Sequence, residues 1–482
     1  MPHRLSRRIA DVLALDPAAR ALQYDGSWLT WGELGTTAQR VAGLVHPGAR
    51  VGIMLRNRPA HVAAFLGVLL AGGTVVVINP SRGDARTRDD ITALDLPMII
   101  GAPDDVAGLV DPALNTTVVT LGDDIGVLRE SVGRATDPGR PGVAVWMLTS
   151  GTTGPPKRVD LTYDMLAHSV MGPEPTAAPT TLRSGVAIVN SPLVHVGGVF
   201  RILLCVSEAR PFVLLEKFDL DTWSAAVREH RPRAVSLVPA ALRMVLHSDL
   251  TRDDLAGVRA VTSGTAPLSA DDADAFTAKF GIPVLTSYAA TEFGGGVAAW
   301  TLADHREFWA AKRGSVGRAN PGAALRVVSD DGRALGPDEA GLLEVKPAQL
   351  GGDADWMRTT DLARIDADGF LWILGRADQA IIRGGFKVMP EDVRAALESH
   401  PDVQGASVVG RPDERLGEVP VALVERRPGR AVTAEELADH LRTRLSGYEV
   451  PAQVVFVDQM PRTPSGKPDL RAVREHFTEH AH

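Results

Sequence analysis

In Leu148-Thr149-Ser150-Gly151-Thr152-Thr153-Gly154-Pro155-Pro156-Lys157, hydroxyls, glycines and one lysine follow an apolar run and crowd into a single turn. Residues of these types suit an anion: the glycines let backbone N–H groups face a phosphate, the hydroxyls add donors, and Lys157 adds a positive charge. The spacing Gly-x-x-x-x-Gly-Lys-Ser/Thr is absent and two prolines precede the lysine, so this is not a P-loop that opens directly into a helix. Taken alone, the segment also reads as a flexible surface loop.

Four further segments carry chemistry. Ser287-Tyr288-Ala289-Ala290-Thr291-Glu292 offers a ring to pack on a nucleobase, a hydroxyl for phosphate and an oxygen ligand for Mg²⁺. Thr359-Thr360-Asp361, with Asp368-Gly369-Phe370-Leu371-Trp372-Ile373-Leu374-Gly375-Arg376-Ala377-Asp378, offers a carboxylate able to accept from two ribose hydroxyls and an arginine nearby. Arg383-Gly384-Gly385-Phe386-Lys387 places a glycine pair where a ligand or another chain approaches the backbone closely. Pro461-Arg462-Thr463-Pro464-Ser465-Gly466-Lys467 is a loop with one lysine near the end of the sequence. Each has a bland alternative: a strand-end turn, a hairpin, a bulge, a solvated terminal loop.

The elements that must position them are legible as alternating patterns. Apolar β-rich runs at Ala49–Leu55, Thr74–Ile78, Met98–Ile100, Thr117–Thr120, Val143–Leu148, Ala187–Val189, Ala234–Leu237, Ala260–Thr262 and Pro283–Thr286 are separated by helical patterns. Such alternation predicts an α/β body of parallel-rich sheets with covering helices. Beyond residue 376, helical stretches at Pro390–Ser399 and Ala434–Leu445 enclose strands at Ala406–Gly410, Pro420–Glu425 and Gln453–Asp458, the texture of a small α+β domain. The Pro- and Thr-rich stretch Gly172–Gly185 predicts a mobile surface excursion.

With 482 residues the chain exceeds what one core supports. Lys plus Arg is 51 against 59 for Asp plus Glu, a net charge of −8, which disfavours nucleic acid and anionic lipid as partners. A single cysteine, Cys205, excludes an intrachain disulfide and a cysteine-built metal site; a cytoplasmic address is the expectation. At the N-terminus Leu5, Ile9, Val12 and Leu13 recur at helical spacing around Asp11, predicting a docking helix rather than a signal peptide. The charge-free stretch Val62–Ile78 is long enough to span a membrane. Gly72-Gly73 splits it, however, so a buried helix followed by a buried strand is expected.

The order, spacing and wording of the five segments resemble the adenylate-forming superfamily of acyl- and aryl-CoA synthetases, firefly luciferase and peptide-synthetase adenylation domains, nearly end to end. The resemblance implies a large N-terminal domain (1–376) that binds ATP and a carboxylic acid and includes a distorted barrel. A hinge at 377–378 and a small mobile C-terminal domain (379–482) complete the architecture. It implies two half-reactions: acyl-AMP and pyrophosphate form first, then the acyl group passes to a nucleophile, most often the thiol of coenzyme A. By position, Thr149, Ser150, Gly151, Thr152, Thr153, Gly154 and Lys157 resemble the loop that holds the β- and γ-phosphates. Gly264, Thr265 and Ala266 resemble the adenine-side strand end and Tyr288 the ring packed on adenine. Thr291 would meet the α-phosphate and Glu292 the Mg²⁺, Asp361 and Arg376 would hold the ribose, and Asp378 matches the hinge. Lys467 matches the catalytic lysine, which neutralises charge built up by attack on phosphorus.

Three positions depart from the family's pattern. Ala289 stands for the Gly that usually follows the aromatic, Thr360 for the commoner Gly of Thr-Gly-Asp, and Arg158 for the Gly after the loop lysine. On the acid side, Ser191-Pro192-Leu193-Val194-His195-Val196-Gly197-Gly198-Val199 resembles the acyl- and aryl-CoA synthetase version, with His195 bordering the acid and the pantetheine tunnel; a lone histidine there is otherwise a packed core residue. Relatives that activate α-amino acids place an aspartate where Val196 stands, and an unpaired ammonium in an apolar pocket would cost several kcal/mol. An aryl, alicyclic or fatty acid is therefore expected, with Gly197, Gly198 and Ala289 leaving it room. Gly384, Gly385 and Lys387 resemble the loop of the second half-reaction and favour coenzyme A. Only 15 residues follow Lys467, so any carrier protein is expected to be a separate chain. A carrier, an amine acceptor, simple release of the adenylate, and a nucleotide-binding homologue without turnover stay open at this point, as does monomer against homodimer.

Overall fold

The computed structural model describes residues 2–123, 125–129, 131–133, 137–149, 157–174, 176–384, 386–463 and 466–478. The chain divides into two compact units. One comprises Met1–Thr265, Ala275–Val297 and Pro347–Ala354, the other Ala266–Asp274, Ala298–Lys346 and Asp355–His482.

In the first unit a seven-stranded sheet runs Val127–Arg129, Thr117–Leu121, Met98–Gly101, Arg50–Met54, Thr74–Ile78, Val143–Thr149, Lys157–Thr162. The five inner strands are parallel and the two edges antiparallel. The stretch Val62–Ile78 is not a span: the helix Pro59–Leu70 is buried from residue 59 to 69, Gly72 turns the chain at φ +74°, and Thr74–Ile78 is buried at every position. That is the pattern of a helix and a central parallel strand covered on both sides. Among the described residues no helix is long and apolar enough to cross a membrane.

The expected docking helix forms over Arg4–Leu15, capped by the His3 side chain, and buries Leu5, Ile9, Val12 and Leu13. Its Arg8 is buried as well. The guanidinium donates to the Ser207 carbonyl at 3.1 Å and to the carbonyls of Thr176 and Ala177 at 2.7 and 2.9 Å, so it tethers part of the stretch 172–185 that composition alone marked as mobile. A second sheet orders Ala187–Val189, Phe212–Leu214, Arg20–Tyr24 and Ser27–Thr30. Three further strands run parallel, Ala234–Ser236, Ala260–Ser263 and Val284–Ala290, and the last two lead into candidate residues. Cys205 is buried in the helix Val196–Ser207, and burial pushes its thiol up to about 12.

In the second unit the strands Ala324–Val328, Gly341–Lys346, Met357–Ile365 and Leu371–Arg376 make an antiparallel sheet. A second sheet orders Phe386–Val388, Ile381–Arg383, Gly417–Arg426 and Val403–Asp413, with Gln453–Val457 parallel to Gly417–Arg426. The hairpin Val403–Asp413/Gly417–Arg426 outruns the short strands expected. Arg411, Pro412 and Asp413 read as turn residues, yet they stay in register with Val419, Glu418 and Gly417. The helices Pro390–Glu398 and Ala434–Arg442 contribute Val393, Leu397, Leu437 and Leu441 to one apolar cluster on this sheet. Val473 and Phe477 of Leu470–Thr478 join Val409, Val421 and Leu423 in another.

Candidate active site

Thr149 ends one strand and Lys157 begins the next, and the two are register partners across the edge of the seven-stranded sheet. Ser150, Gly151, Thr152, Thr153 and Gly154 lie outside the described residues, as do Pro155 and Pro156. The base of the turn is described. Arg158, at the position where the resembled family usually has glycine, folds back under the sheet and donates to the Val77 carbonyl at 2.9 Å and to Asp90 Oδ2 at 2.6 Å. Its guanidinium also lies 5.3 Å from the Trp146 ring centroid. Burial holds this guanidinium below its ordinary range while Asp90 opposes the shift. The arginine thus anchors the strand that begins with Lys157.

The strand Ala260–Ser263 leads into Gly264 and Thr265. A Cβ on Gly264 would stand 2.8 Å from Ser287 Oγ, so glycine lets the two strand ends pack closely. Thr265 holds φ +70°, a left-handed conformation that a β-branched residue rarely adopts and that marks a constrained turn. Ala266 falls in the second unit.

The strand Val284–Ala290 extends past the expected Thr286 and carries Tyr288 and Ala289. The half-buried Tyr288 ring tilts at 53° against Phe293, with centroids 6.0 Å apart. A 3₁₀ turn, Thr291–Phe293, follows and closes on Gly294 at φ +67°. This turn buries Phe293 and exposes Glu292, so a hydrophobic anchor fixes where a carboxylate is presented. Among the described residues no group of three or more His, Cys, Asp or Glu side chains could enclose a metal. Glu292 is one hard oxygen donor, which fits a Mg²⁺ that keeps water and phosphate oxygens as its other ligands.

On the acid side, His195 precedes the helix Val196–Ser207, and its carbonyl accepts from the Gly198 and Val199 amides at 3.0 and 3.2 Å. The loop before it is held by Asn57, a residue the sequence reading missed. Its Nδ2 donates to the carbonyls of Ser191 and Leu215, both at 3.0 Å, and its Oδ1 accepts from the Leu193 amide at 2.8 Å. No sequence signal marked it: Asn57 is buried, and a buried amide has to be matched bond for bond, but that burial appears only in the fold. The two glycines differ. A Cβ on Gly197 would meet nothing within 4 Å, whereas one on Gly198 would stand 2.2 Å from the Pro192 carbonyl oxygen. Only Gly197 leaves space; Gly198 admits the backbone of the preceding loop.

In the second unit Asp361 and Arg376 are register partners on neighbouring strands. Arg376 donates to Thr360 Oγ1 at 2.7 Å and to both carboxylate oxygens of Asp378 at 2.9 and 2.6 Å. Thr360 therefore supplies an acceptor that a glycine would not. Asp378 lies in the 3₁₀ turn Ala377–Gln379. Gly384 closes a hairpin at φ +58°, its amide donating to the Leu416 carbonyl at 2.7 Å. Gly385 lies outside the described residues, and Lys387 is placed only by its backbone pairing with Ile382. The Lys467 carbonyl accepts from the Thr463 amide at 2.7 Å, and Arg462 donates to the Gly466 carbonyl at 3.1 Å. Arg462 also lies 3.6 Å from Glu425 Oε2, which fastens the loop to the strand Gly417–Arg426.

The candidates are thus shared out. Thr149, Lys157, His195, Val196, Gly197, Gly198, Val199, Gly264, Thr265, Tyr288, Ala289, Thr291 and Glu292 belong to the first unit, and Ala266, Asp361, Arg376, Asp378, Gly384, Lys387 and Lys467 to the second. A further residue escaped the sequence reading: Arg201, the one charged side chain in the otherwise apolar helix Val196–Ser207, which donates to Thr262 Oγ1 at 3.0 Å.

Residues 10–351 match the family described as AMP-binding enzyme, and residues 392–467 its AMP-binding enzyme C-terminal domain. The chain is 30% identical to 4-coumarate–CoA ligase 3 of Oryza sativa subsp. japonica over 93% of its own length and 87% of that protein's. It is 29% identical to the feruloyl-CoA synthase of an Amycolatopsis species, over 96% and 97%. Among solved structures, ATP-bound MatB from Rhodopseudomonas palustris superposes with a TM-score of 0.84 at 26% identity, covering 99% of each chain.

Proposed function

This chain belongs to the AMP-binding enzymes of the adenylate-forming superfamily, and on that premise we propose that it is an ATP-dependent acid–CoA ligase. A carboxylate oxygen attacks the α-phosphorus of ATP, pyrophosphate leaves, and the resulting acyl-AMP is cleaved by the thiol of coenzyme A to give acyl-CoA and AMP. The observation that supports this reading most is that residues 10–351 and 392–467 match the two domains of that family, with Lys157, Glu292 and Lys467 inside the matched stretches and Asp361 and Arg376 in the segment between them.

The residue roles are those that the resemblance to the family implies. Lys157 neutralises the outgoing phosphates, and Thr291 donates to the α-phosphate. Asp361 accepts from the ribose hydroxyls, with Arg376 beside it. Tyr288 offers its face to adenine, next to the strand end at Gly264, Thr265 and Ala266. Mg²⁺, held by Glu292, would supply charge neutralisation on the nucleotide phosphates. Lys467 neutralises charge on the attacked phosphorus, which is the largest kind of term in such transfers. His195, Val196, Gly197, Val199 and Ala289 border the acid, and the loop of Gly384, Gly385 and Lys387 serves the thiol. Residues 377–378 act as the hinge between a domain of 1–376 and one of 379–482.

The test is pyrophosphate release with ATP and a panel of aryl, alicyclic and fatty acids, with and without coenzyme A. Acid-dependent release that yields acyl-CoA only when coenzyme A is present is expected. Release that coenzyme A leaves unchanged would point to a different acceptor, and no acid-dependent release would remove the reading.

A further inference from the structure

Arg201 is a cation placed where its surroundings do not neutralise it. Its guanidinium donates to Thr262 Oγ1 at 3.0 Å and lies 5.9 Å from the Phe200 ring centroid, and no carboxylate forms an ion pair with it among the described residues. Burial holds it below its ordinary range, with only the Cys205 thiol opposing that shift; the thiol is itself pushed up to about 12 and carries no charge at neutral pH. The residue nonetheless keeps part of its surface open. A guanidinium presents five N–H donors, and one hydroxyl engages a fraction of them. Leaving a largely buried cation so poorly matched is costly unless something supplies the missing charge.

Its position says what that is. On the helix Val196–Ser207, Gly197 lies four residues before Arg201 on the same face, and helical side chains lean toward the N-terminus, over the turn where Gly197 leaves open space. On the sheet, Thr262 is the register partner of Ser236 and Leu285. Side chains alternate along a strand, so Thr262 shares its face with Gly264, and Leu285 shares its face with Ser287 and Ala289. Arg201 therefore joins the helix that follows His195 to the sheet face that carries Ala289, the two sides expected to border the acid.

We propose that Arg201 receives a second anionic group of the acid substrate, so that the natural substrate is a dicarboxylic acid with an apolar body, one carboxylate being adenylated and the other paired with the guanidinium. This rests on the acid–CoA ligase reading and narrows its substrate class.

The test compares matched acids in the pyrophosphate assay: benzoate with terephthalate, cinnamate with 4-carboxycinnamate, and hexanoate with hexanedioate, with 4-hydroxybenzoate as a neutral acceptor. For at least one pair the diacid is expected to exceed the monoacid in kcat/KM by about tenfold or more, since a site built around a buried polar group rejects the analogue that leaves it unpaired. Arg201→Met should lower the diacid-to-monoacid ratio by about 100-fold, while Arg201→Lys retains a diacid preference. Preference for the monoacid in every pair, or for 4-hydroxybenzoate over terephthalate, overturns the proposal, as does an Arg201→Met variant that loses both acids equally. Should that variant fail to fold, the comparison in the unaltered enzyme decides. Turnover of monoacids alone would leave the ligase reading standing and remove this one, whereas activation of no acid at all would remove both.

Discussion

The Lys467 backbone is held by the Thr463 amide, on a loop that Arg462 fastens to Glu425, and the role proposed for its ammonium can be tested apart from that anchorage. Lys467→Ala should lower adenylate formation by about 100- to 1000-fold, the usual effect of deleting one charge-stabilising donor, yet largely spare transfer to coenzyme A from supplied acyl-AMP. Single-turnover rates of the two half-reactions separate these outcomes; equal losses would rule out a role confined to the first. His61 makes a different prediction. It is 1% exposed, and its Nδ1 accepts from the Arg56 amide at 3.3 Å. Burial first, then the nearby Arg58, lowers its pKa from 6.5 to about 4. Between those values the unfolded chain binds more protons than the folded one, so stability is full above about pH 6.5 and declines by up to about 3 kcal/mol as pH falls to 4. Denaturant midpoints measured across that window should slope downward, and His61→Asn should flatten the slope. The motif residues Lys467, Glu292 and Asp361 were legible because the roles proposed for them restrict residue type and spacing. Asn57 and Arg201 were not, because their importance depends on what surrounds them after folding.

Elements followed the hydrophobic pattern closely where burial dictates it. The fully buried strand Thr74–Ile78 and the largely buried Ala187–Val189 form within the limits the sequence implied. Boundaries shifted where side chains are polar but the backbone stays paired, as at Arg411–Asp413, or where the strand Val284–Ala290 continues through Ser287 to deliver Tyr288. The strand Lys157–Thr162 shows how one side chain can decide an element's position. Arg158 is 8% exposed at its side chain and ties this strand to Asp90 and to the Val77 carbonyl. Arg158→Gly, which installs the residue common in the family, should cost about 2 kcal/mol by stranding Asp90, and should raise the KM for ATP because Lys157 loses its neighbour's anchorage. Thermal melts together with ATP titrations provide the check; an unchanged melting temperature would remove the anchoring role.

At the scale of the whole molecule, the proposed alternation between half-reactions turns on the short segment containing Asp378. Arg376 grips Asp378 with two hydrogen bonds and Thr360 with a third, so the backbone at 377–378 can rotate only if this set reorganises. Asp378→Pro fixes φ at that point and should slow acyl transfer to coenzyme A while leaving adenylation nearly intact, the reverse of Lys467→Ala. Equal effects on both steps would argue against alternation. The succession of an α/β body and a smaller α+β one was legible in the alternation of patterns along the chain, whereas the division by contacts, with 266–274 and 298–346 joined to the later part, reflects long-range packing that no local pattern encodes. The buried sole cysteine opens a way to watch this motion. Because the Cys205 thiol is enclosed and held in its protonated form, maleimide dyes should pass it by. Cysteines introduced at one exposed site in each domain could then carry a fluorophore pair without removing any native residue, and the opening and closing of single molecules could be timed as ATP, acid and coenzyme A are added in turn.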